Sequence, residues 1–369
     1  MRDKVEIIVF VIVLSFFGLG YLFFGQREFS ELENHYLTLC PEFSWESFLD
    51  GDYTKKFDEY TADQILGKDV FVKMNVAMNR SCGISEINDV YFGKEDRLIQ
   101  DYQKPDSVLD ENLTYIRRFA EENPETDMTM LIIPNSSQIY PELLPTFART
   151  YDQAEVIRRI RSGLGNSVAV LDATDILLEH KEEAIYYKTD HHWTTLGAYY
   201  GYTELCQGLG LTPVAREEYD ILTLSDPFYG SLYSKAPAFR QEGDTLDLYY
   251  NSAGAYEVQY PSESRTADSM YDMNYAGRKD KYAIFFGGNV PLARITSNSS
   301  NTEKVLILKD SYANCLVPML ADHYSEIHMM DLRYYHEDVG DYMKENGIKT
   351  VIFIHNVDFI STDNNFLWL

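Results

Sequence analysis

The first pattern along the chain is an unbroken apolar run. From Ile7 to Gln26 no charge occurs, and Ile7-Ile8-Val9-Phe10-Val11-Ile12-Val13-Leu14 continues through Phe16 and Phe17 to Leu22-Phe23-Phe24. At roughly 1.5 Å per residue, about twenty helical residues cross the roughly 30 Å hydrocarbon core of a bilayer. The run therefore predicts a transmembrane signal anchor over residues 7–26, with a short cytoplasmic tail, residues 1–6, before it. A cleaved signal peptide is the alternative. Its apolar region is shorter and ends in a small-x-small site, whereas this run ends Phe23-Phe24-Gly25-Gln26-Arg27. The basic residues Arg2, Lys4 and Arg27 flank both ends, so the short tail decides the orientation and leaves the rest of the chain outside.

After the span the pattern becomes amphipathic. Trp45, Phe48 and Leu49, then Phe57, Tyr60 and Leu66, recur at roughly helical spacing, which predicts a membrane-proximal helical segment over residues 27–87. Around Asn88-Asp89-Val90-Tyr91-Phe92-Gly93-Lys94-Glu95-Asp96-Arg97-Leu98-Ile99 short apolar runs flank a polar turn and predict a hairpin that opens the main domain, residues 88–369. Continuous apolar strand candidates then alternate with helical stretches: Met128 to Ile133, Val168 to Leu171, Lys304 to Leu308, Ile327 to Met330 and Thr350 to Ile354. Such alternation predicts an α/β fold with a buried, doubly wound parallel sheet and helices on both faces. Residues 211 to about 300 break the alternation with Tyr, Ser, Gly and Asp, and predict a partly β insertion over one sheet edge.

Composition narrows the function classes. The net charge of −26 makes a groove that follows nucleic-acid phosphates improbable. Cys40, Cys82, Cys206 and Cys315 are scattered, with no CxxC pair and no zinc-like spacing, so no structural metal or cofactor is expected. The 29 tyrosines suit either a wet, semi-polar groove that stacks on sugars or ordinary strand filling.

The chemistry-bearing stretch is Lys188-Thr189-Asp190-His191-His192-Trp193-Thr194-Thr195-Leu196-Gly197. Two residues apart in extended backbone, Asp190 and His192 point to one face, so the carboxylate can fix the imidazole tautomer while the other ring nitrogen takes a proton. His191 then faces away, and Thr194 or Thr195 caps a helix that ends near Gly208 and Gly210. The missing nucleophile is Ser311, in a strand-to-helix turn Lys309-Asp310-Ser311-Tyr312, where sheets of this class bind ligands and where first-turn N–H groups stabilise an oxyanion. Gly288, Asn289, Asn135 and Tyr312 are further oxyanion or substrate candidates, with His191 and Trp193 as supporting residues. A metal on Asp and His, a polar surface loop and a serine that only caps a helix are the other readings of these residues.

Asp190-His191-His192-Trp193, together with Gly287-Gly288-Asn289 and Lys309-Asp310-Ser311-Tyr312-Ala313-Asn314, resembles the DHHW protein family and, more distantly, is similar to the SGNH-hydrolase-like domains of bacterial alginate O-acetyltransferases. The resemblance implies an SGNH-hydrolase-like, flavodoxin-like fold and the roles of acid, base and nucleophile for Asp190, His192 and Ser311. Lys309 stands where those relatives carry Gly, and His191 is an extra imidazole. The resemblance also implies a membrane-bound O-acyltransferase as acyl donor. The expected activity is serine acyl transfer to, or acetyl removal from, a cell-surface polysaccharide outside a cell membrane. The alternative is a non-catalytic, membrane-anchored glycan-binding or scaffold protein that holds polymer on its tyrosine-rich insertion.

Overall fold

The structure is a computed structural model that describes residues 2–225 and 227–369; Asp226, inside the insertion, lies outside the described residues. Two compact units emerge, one of residues up to Asn88 with Tyr233–Gln241, the other of Asp89–Leu232 with Glu242–Leu369.

The smaller unit begins with α1 (Arg2–Phe23), whose residues Lys4–Tyr21 are long and apolar enough to cross a bilayer and are almost wholly exposed. After it come a five-residue helix, Trp45–Leu49, then α2 (Asp52–Asp63) and α3 (Lys68–Ser81). The last turns of α1 are tied down: the Tyr21 hydroxyl donates to the Thr61 carbonyl at 2.5 Å, and the Phe17 ring lies 5.9 Å from Phe71. Lys68 closes the unit with ion pairs to Glu33 and Asp63, each 2.8 Å.

In the larger unit Val90–Phe92 and Leu98–Gln100 form the expected antiparallel hairpin, Val90 opposite Gln100. Its helices include α4 (Val108–Glu122), α5 (Gln153–Leu164), α6 (Thr174–Glu179), α7 (Thr195–Leu209), α8 (Val317–Leu320), α9 (Val339–Asn346) and α10 (Val357–Thr362). The large sheet comprises β1 (Asp127–Ile133), β2 (Ala169–Asp172), β3 (Tyr256–Tyr260), β4 (Arg265–Ala267), β5 (Leu292–Ser297), β6 (Lys304–Lys309), β7 (Glu326–Met330) and β8 (Thr350–Asn356), in spatial order β4-β3-β5-β7-β6-β8-β1-β2. Strands β7, β6, β8, β1 and β2 are mutually parallel. Val305 and Ile307 of β6 enter one core, with α6, α7 and α8, while Leu306 and Leu308 enter the other, with α4, α5, α9 and α10. Burial on both faces is why these strands read as continuous apolar runs.

One expectation about the sheet needs correction. The sheet is mixed rather than parallel, because β5, β3 and β4 extend it antiparallel beyond β7. Strand β5 pairs the backbone groups that β7 would otherwise leave open at its edge, and β3 and β4 continue from it. Strand β3 alternates buried and exposed residues, so a search for continuous apolar runs passes over it.

The parallel strands also have an informative order. In chain order they run β1, β2, β6, β7, β8, and across the sheet this reads 2-1-5-3-4 rather than the flavodoxin-like 2-1-3-4-5. Counted from β6 instead, the same strands read 2-1-3-4-5. The sheet is thus a circular permutation of that order, with Ser311 after its topologically first strand and the Asp190–His192 loop after its last.

Candidate active site

The loop that carries Asp190 is shaped by its own carboxylate. Asp190 Oδ1 accepts from the His192 backbone N–H at 2.9 Å and lies 2.6 Å from His192 Nδ1. This is an Asx-type turn and not the extended segment expected from the spacing. The helix that follows matches expectation: the Thr194 hydroxyl accepts from Gly197 N–H at 3.1 Å, and Gly210 closes α7 at φ 70°. Trp193, fully buried, lies over Gly201, where a Cβ would sit 2.5 Å from the indole, and donates from Nε1 to the Tyr312 carbonyl at 2.9 Å. The motif's tryptophan thereby ties its loop to the turn that follows β6.

Ser311 stands two residues past the end of β6. Its Oγ lies 2.8 Å from His192 Nε2, which joins Asp190, His192 and Ser311 in one hydrogen-bonded line across 119 residues of sequence. Asp190 and His192 are buried and Ser311 is partly exposed, so the line runs from the interior toward solvent. Burial opposes ionisation of Asp190, but the His192 and His191 imidazoles and the N–H bonds from His192 and Ser231 outweigh it and hold the carboxyl well below the usual range. The carboxylate is therefore ionised at neutral pH and fixes the Nδ1–H tautomer of His192. The thiol of the buried Cys315, in the same turn, is pushed up to about 12 by burial. It stays protonated and does not compete as a nucleophile.

The insertion supplies the outer wall. Asp190 Oδ2 accepts from the Ser231 N–H at 2.6 Å. Gly230 passes so close that a Cβ there would sit 2.2 Å from the same carboxylate, so only glycine allows this approach. Asp244 accepts from the backbone N–H groups of Lys188 and Thr189 at 2.7 and 2.8 Å and from the Thr189 hydroxyl at 2.6 Å. Tyr282 lies flat on the His192 ring, 3.9 Å between centroids and 8° from parallel, and its hydroxyl donates to the Ser311 carbonyl at 3.0 Å. None of Ser231, Gly230, Asp244 or Tyr282 stands out in the sequence.

The remaining candidates fare unevenly. His191 does not face away: its Nδ1 lies 2.6 Å from Ser231 Oγ and 3.5 Å from Asp190 Oδ1. Tyr312 spends its N–H on Asp310 Oδ1, and its hydroxyl donates to the His191 carbonyl, so it braces the loop rather than offering a helical N–H. The element after Ser311 is a 3₁₀ turn, Ser311–Cys315, followed by the four-residue α8, shorter than the expected helix. Gly288 donates its N–H to Phe285, which removes it as an oxyanion donor. Asn289 offers its side-chain oxygen to Lys309 Nζ at 3.0 Å and to Asn314 at 3.2 Å. Asn135, just past β1 on the carboxyl edge that also bears Ser311, is buried, and neither atom of its side-chain amide has a partner.

Lys309 belongs to a different cluster from Ser311. Its side chain is fully buried, and Nζ pairs with Asp331 at 3.0 Å, which Arg333 also grips at 2.6 Å. Between the two clusters Asp310 accepts from the N–H groups of Asn356 and Tyr312, yet burial pushes its carboxyl up to about 6.

Asp190, His191 and His192 bring donor atoms within 4.8 Å of one another, as a metal site would. Both ring nitrogens of His192 and the Nδ1 of His191 are already engaged by Asp190, Ser311 and Ser231. A cation would have to displace those bonds.

The sequence profile of the DHHW protein family matches residues 33–127 and 126–330. Among curated protein sequences none matches the chain. Of solved structures, a DHHW family protein from Eubacterium siraeum is 25% identical, with 75% of this chain and 96% of that one covered and a TM-score of 0.66. Bacillus cereus PatB1 shares the fold at 21% identity, over 73% of this chain and 97% of that one, with a TM-score of 0.65. A more distant likeness is to the O-acetyltransferase domain of Pseudomonas putida AlgJ, 15% identical over 74% of this chain and 93% of that one, with a TM-score of 0.48. With its profile matched over most of its length and its tetrapeptide folded against Ser311, the chain belongs to the DHHW protein family.

Proposed function

We propose that the protein is a serine acyltransferase or esterase of the SGNH-hydrolase-like kind, anchored by α1 and working on acetyl groups of a cell-surface polysaccharide outside the membrane. The observation that carries this reading is the line from Asp190 Oδ1 to His192 Nδ1 at 2.6 Å and from His192 Nε2 to Ser311 Oγ at 2.8 Å. Ser311 Oγ attacks the acetyl carbonyl carbon while His192 Nε2 takes its proton; the ionised Asp190 stabilises the imidazolium. Collapse of the tetrahedral adduct expels the donor's alcohol, which takes the proton back from His192. A sugar hydroxyl, or water, then attacks the acetyl-serine by the same route in reverse. A membrane-bound O-acyltransferase is the proposed source of acetyl groups, and Asn135, with its unpartnered buried amide, is the proposed oxyanion donor.

A generic acetyl ester tests the reading directly. Ser311→Ala and His192→Ala are each expected to lower acetyl release by about 10³-fold or more while leaving the far-UV spectrum unchanged. Full activity in either variant excludes the triad. The rival reading, a non-catalytic glycan-binding protein, is favoured by a cleft of ~310 Å³ lined by Tyr249, Tyr250, Tyr256 and Tyr271. A sulfonyl fluoride separates the two: modification of Ser311, lost in His192→Ala, supports catalysis, and an inert Ser311 supports the binder.

A further inference from the structure

The membrane-proximal unit has too little core of its own. The Trp45–Leu49 helix buries none of its residues, α2 buries only Tyr60 and α3 only Val76. Their large apolar side chains are turned outward instead: Trp45 is 71% exposed, Leu49 80% and Met78 65%. Two features organise this surface. Phe43, Trp45 and Phe48 form one aromatic cluster, Trp45 edge-to-face on both phenylalanines, with ring centroids 5.2 to 6.1 Å apart, continued by Tyr53 and Phe57, which stack at 5.8 Å. On α3, Phe71, Met74 and Met78 are all exposed and recur at the spacing of one helical face.

Exposed apolar surface on this scale marks an interaction site, and what lies beside it identifies the occupant. The aromatic chain runs on through Phe57 and Tyr60 to Tyr21 of α1, with centroids 5.8 and 5.9 Å apart. The α3 stripe meets α1 at Phe71 and Phe17. Phe17 lies about 9 Å of helix before Phe23, the last residue of α1, so the Phe71 ring dips into the hydrocarbon by about the depth to which an interfacial helix sinks its apolar face below the headgroup boundary. Rings with an apolar body and a polar tip collect at that depth. Charge does not draw this face to anionic lipid: between Ser44 and Ser81, Glu46, Asp50, Asp52, Asp58, Glu59, Asp63 and Asp69 outnumber Lys55, Lys56, Lys68, Lys73 and Arg80.

We propose that the face made by Phe43, Trp45, Phe48 and Leu49 together with Phe71, Met74 and Met78 lies in the bilayer interface, so that the anchor is one span plus a platform laid on the lipid. The proposal rests on the reading of α1 as a membrane span. It adds that membrane contact is apolar and needs no anionic lipid.

The test uses the full chain in vesicles of a zwitterionic phosphatidylcholine. With Cys40→Ser and Cys82→Ser removing the exposed thiols, nitroxide labels are placed at Leu49→Cys, Met74→Cys and Met78→Cys, with Val11→Cys as the span control and Lys55→Cys as the water control. The platform labels are expected to collide more with dissolved oxygen than with a water-soluble nickel chelate, as Val11→Cys does, and raised salt is expected to leave them unchanged. Platform labels as open to nickel as Lys55→Cys overturn the proposal. So do labels shielded from both reagents, which identify a second copy or a protein partner as the cover. A nickel-accessible Val11→Cys instead overturns the span, and the platform with it.

Discussion

Two charged clusters flank the end of β6, and they differ in what they leave open. On one side Lys309, Asp331 and Arg333 form a closed group in which the lysine and aspartate side chains are wholly buried and every charge faces an opposite one. On the other, Asp190, His192 and Ser311 form a line that begins at a buried carboxylate and ends at a partly exposed hydroxyl. Burial pulls the Lys309 ammonium down against the pull of Asp331, so that cluster is held by mutual neutralisation. Asp190 is held ionised by the His192 and His191 imidazoles and by N–H bonds, and the far nitrogen of His192 reaches Ser311. A buried charge pair is thus a structural device when it closes on itself and, under the function proposed above, a chemical one when its last member reaches solvent.

The comparison can be broken at either cluster. The largest effect is expected for Asp190→Asn, which keeps the shape but reverses the tautomer preference of His192 and should lower acetyl-ester turnover by about 10⁴-fold with little change in unfolding midpoint. Turnover within a few fold of the parent would remove Asp190 from the working line. Next, Lys309→Met keeps the volume but leaves Asp331 one partner short, and should cost about 3–5 kcal/mol in urea unfolding while turnover per folded molecule stays within a few fold. A collapse of turnover at unchanged stability would show that the two clusters are one.

The smallest effect concerns Asp310, which lies between them. Its folded pKa of about 6 stands above the unfolded value of 3.8, so the native state binds the extra proton. Its stabilising contribution is complete below the unfolded pKa and is lost as pH rises through the folded one, a change of about 3 kcal/mol between roughly pH 4 and 6. Asp310→Asn should remove that component, read as the difference between variant and parent in urea unfolding at pH 4.5 and 6.5. Parallel pH profiles would show that Asp310 is ionised throughout.

Much of this was legible in the residues, for reasons that also explain what was not. Strands β1, β6, β7 and β8 announce themselves because both faces are buried, and Asp190, His192 and Ser311 because their side chains belong to a recognisable tetrapeptide and turn. The half-buried β3 carries no such continuous run. The Ser231 N–H that holds Asp190 is a backbone group, which any residue would offer. Asp244 is one acidic residue among 58 until the fold brings it to the Lys188–Thr189 backbone. Lys309 departs from the relatives' glycine at the turn before Ser311, and its ammonium is taken up by Asp331 and Asn289 instead of by the Asp190–His192–Ser311 line.

The permuted strand order bears on when the site comes into being. Ser311 and His192 are 119 residues apart, and the second oxygen of Asp190 waits for Ser231, so the loop, the insertion and β6 must all be in place first. Contacts of such sequence separation are closed late, after local hairpins and helices have formed. A nascent or partly unfolded chain therefore carries Ser311 without the His192 hydrogen bond, and the activity proposed above is expected only once the fold is complete.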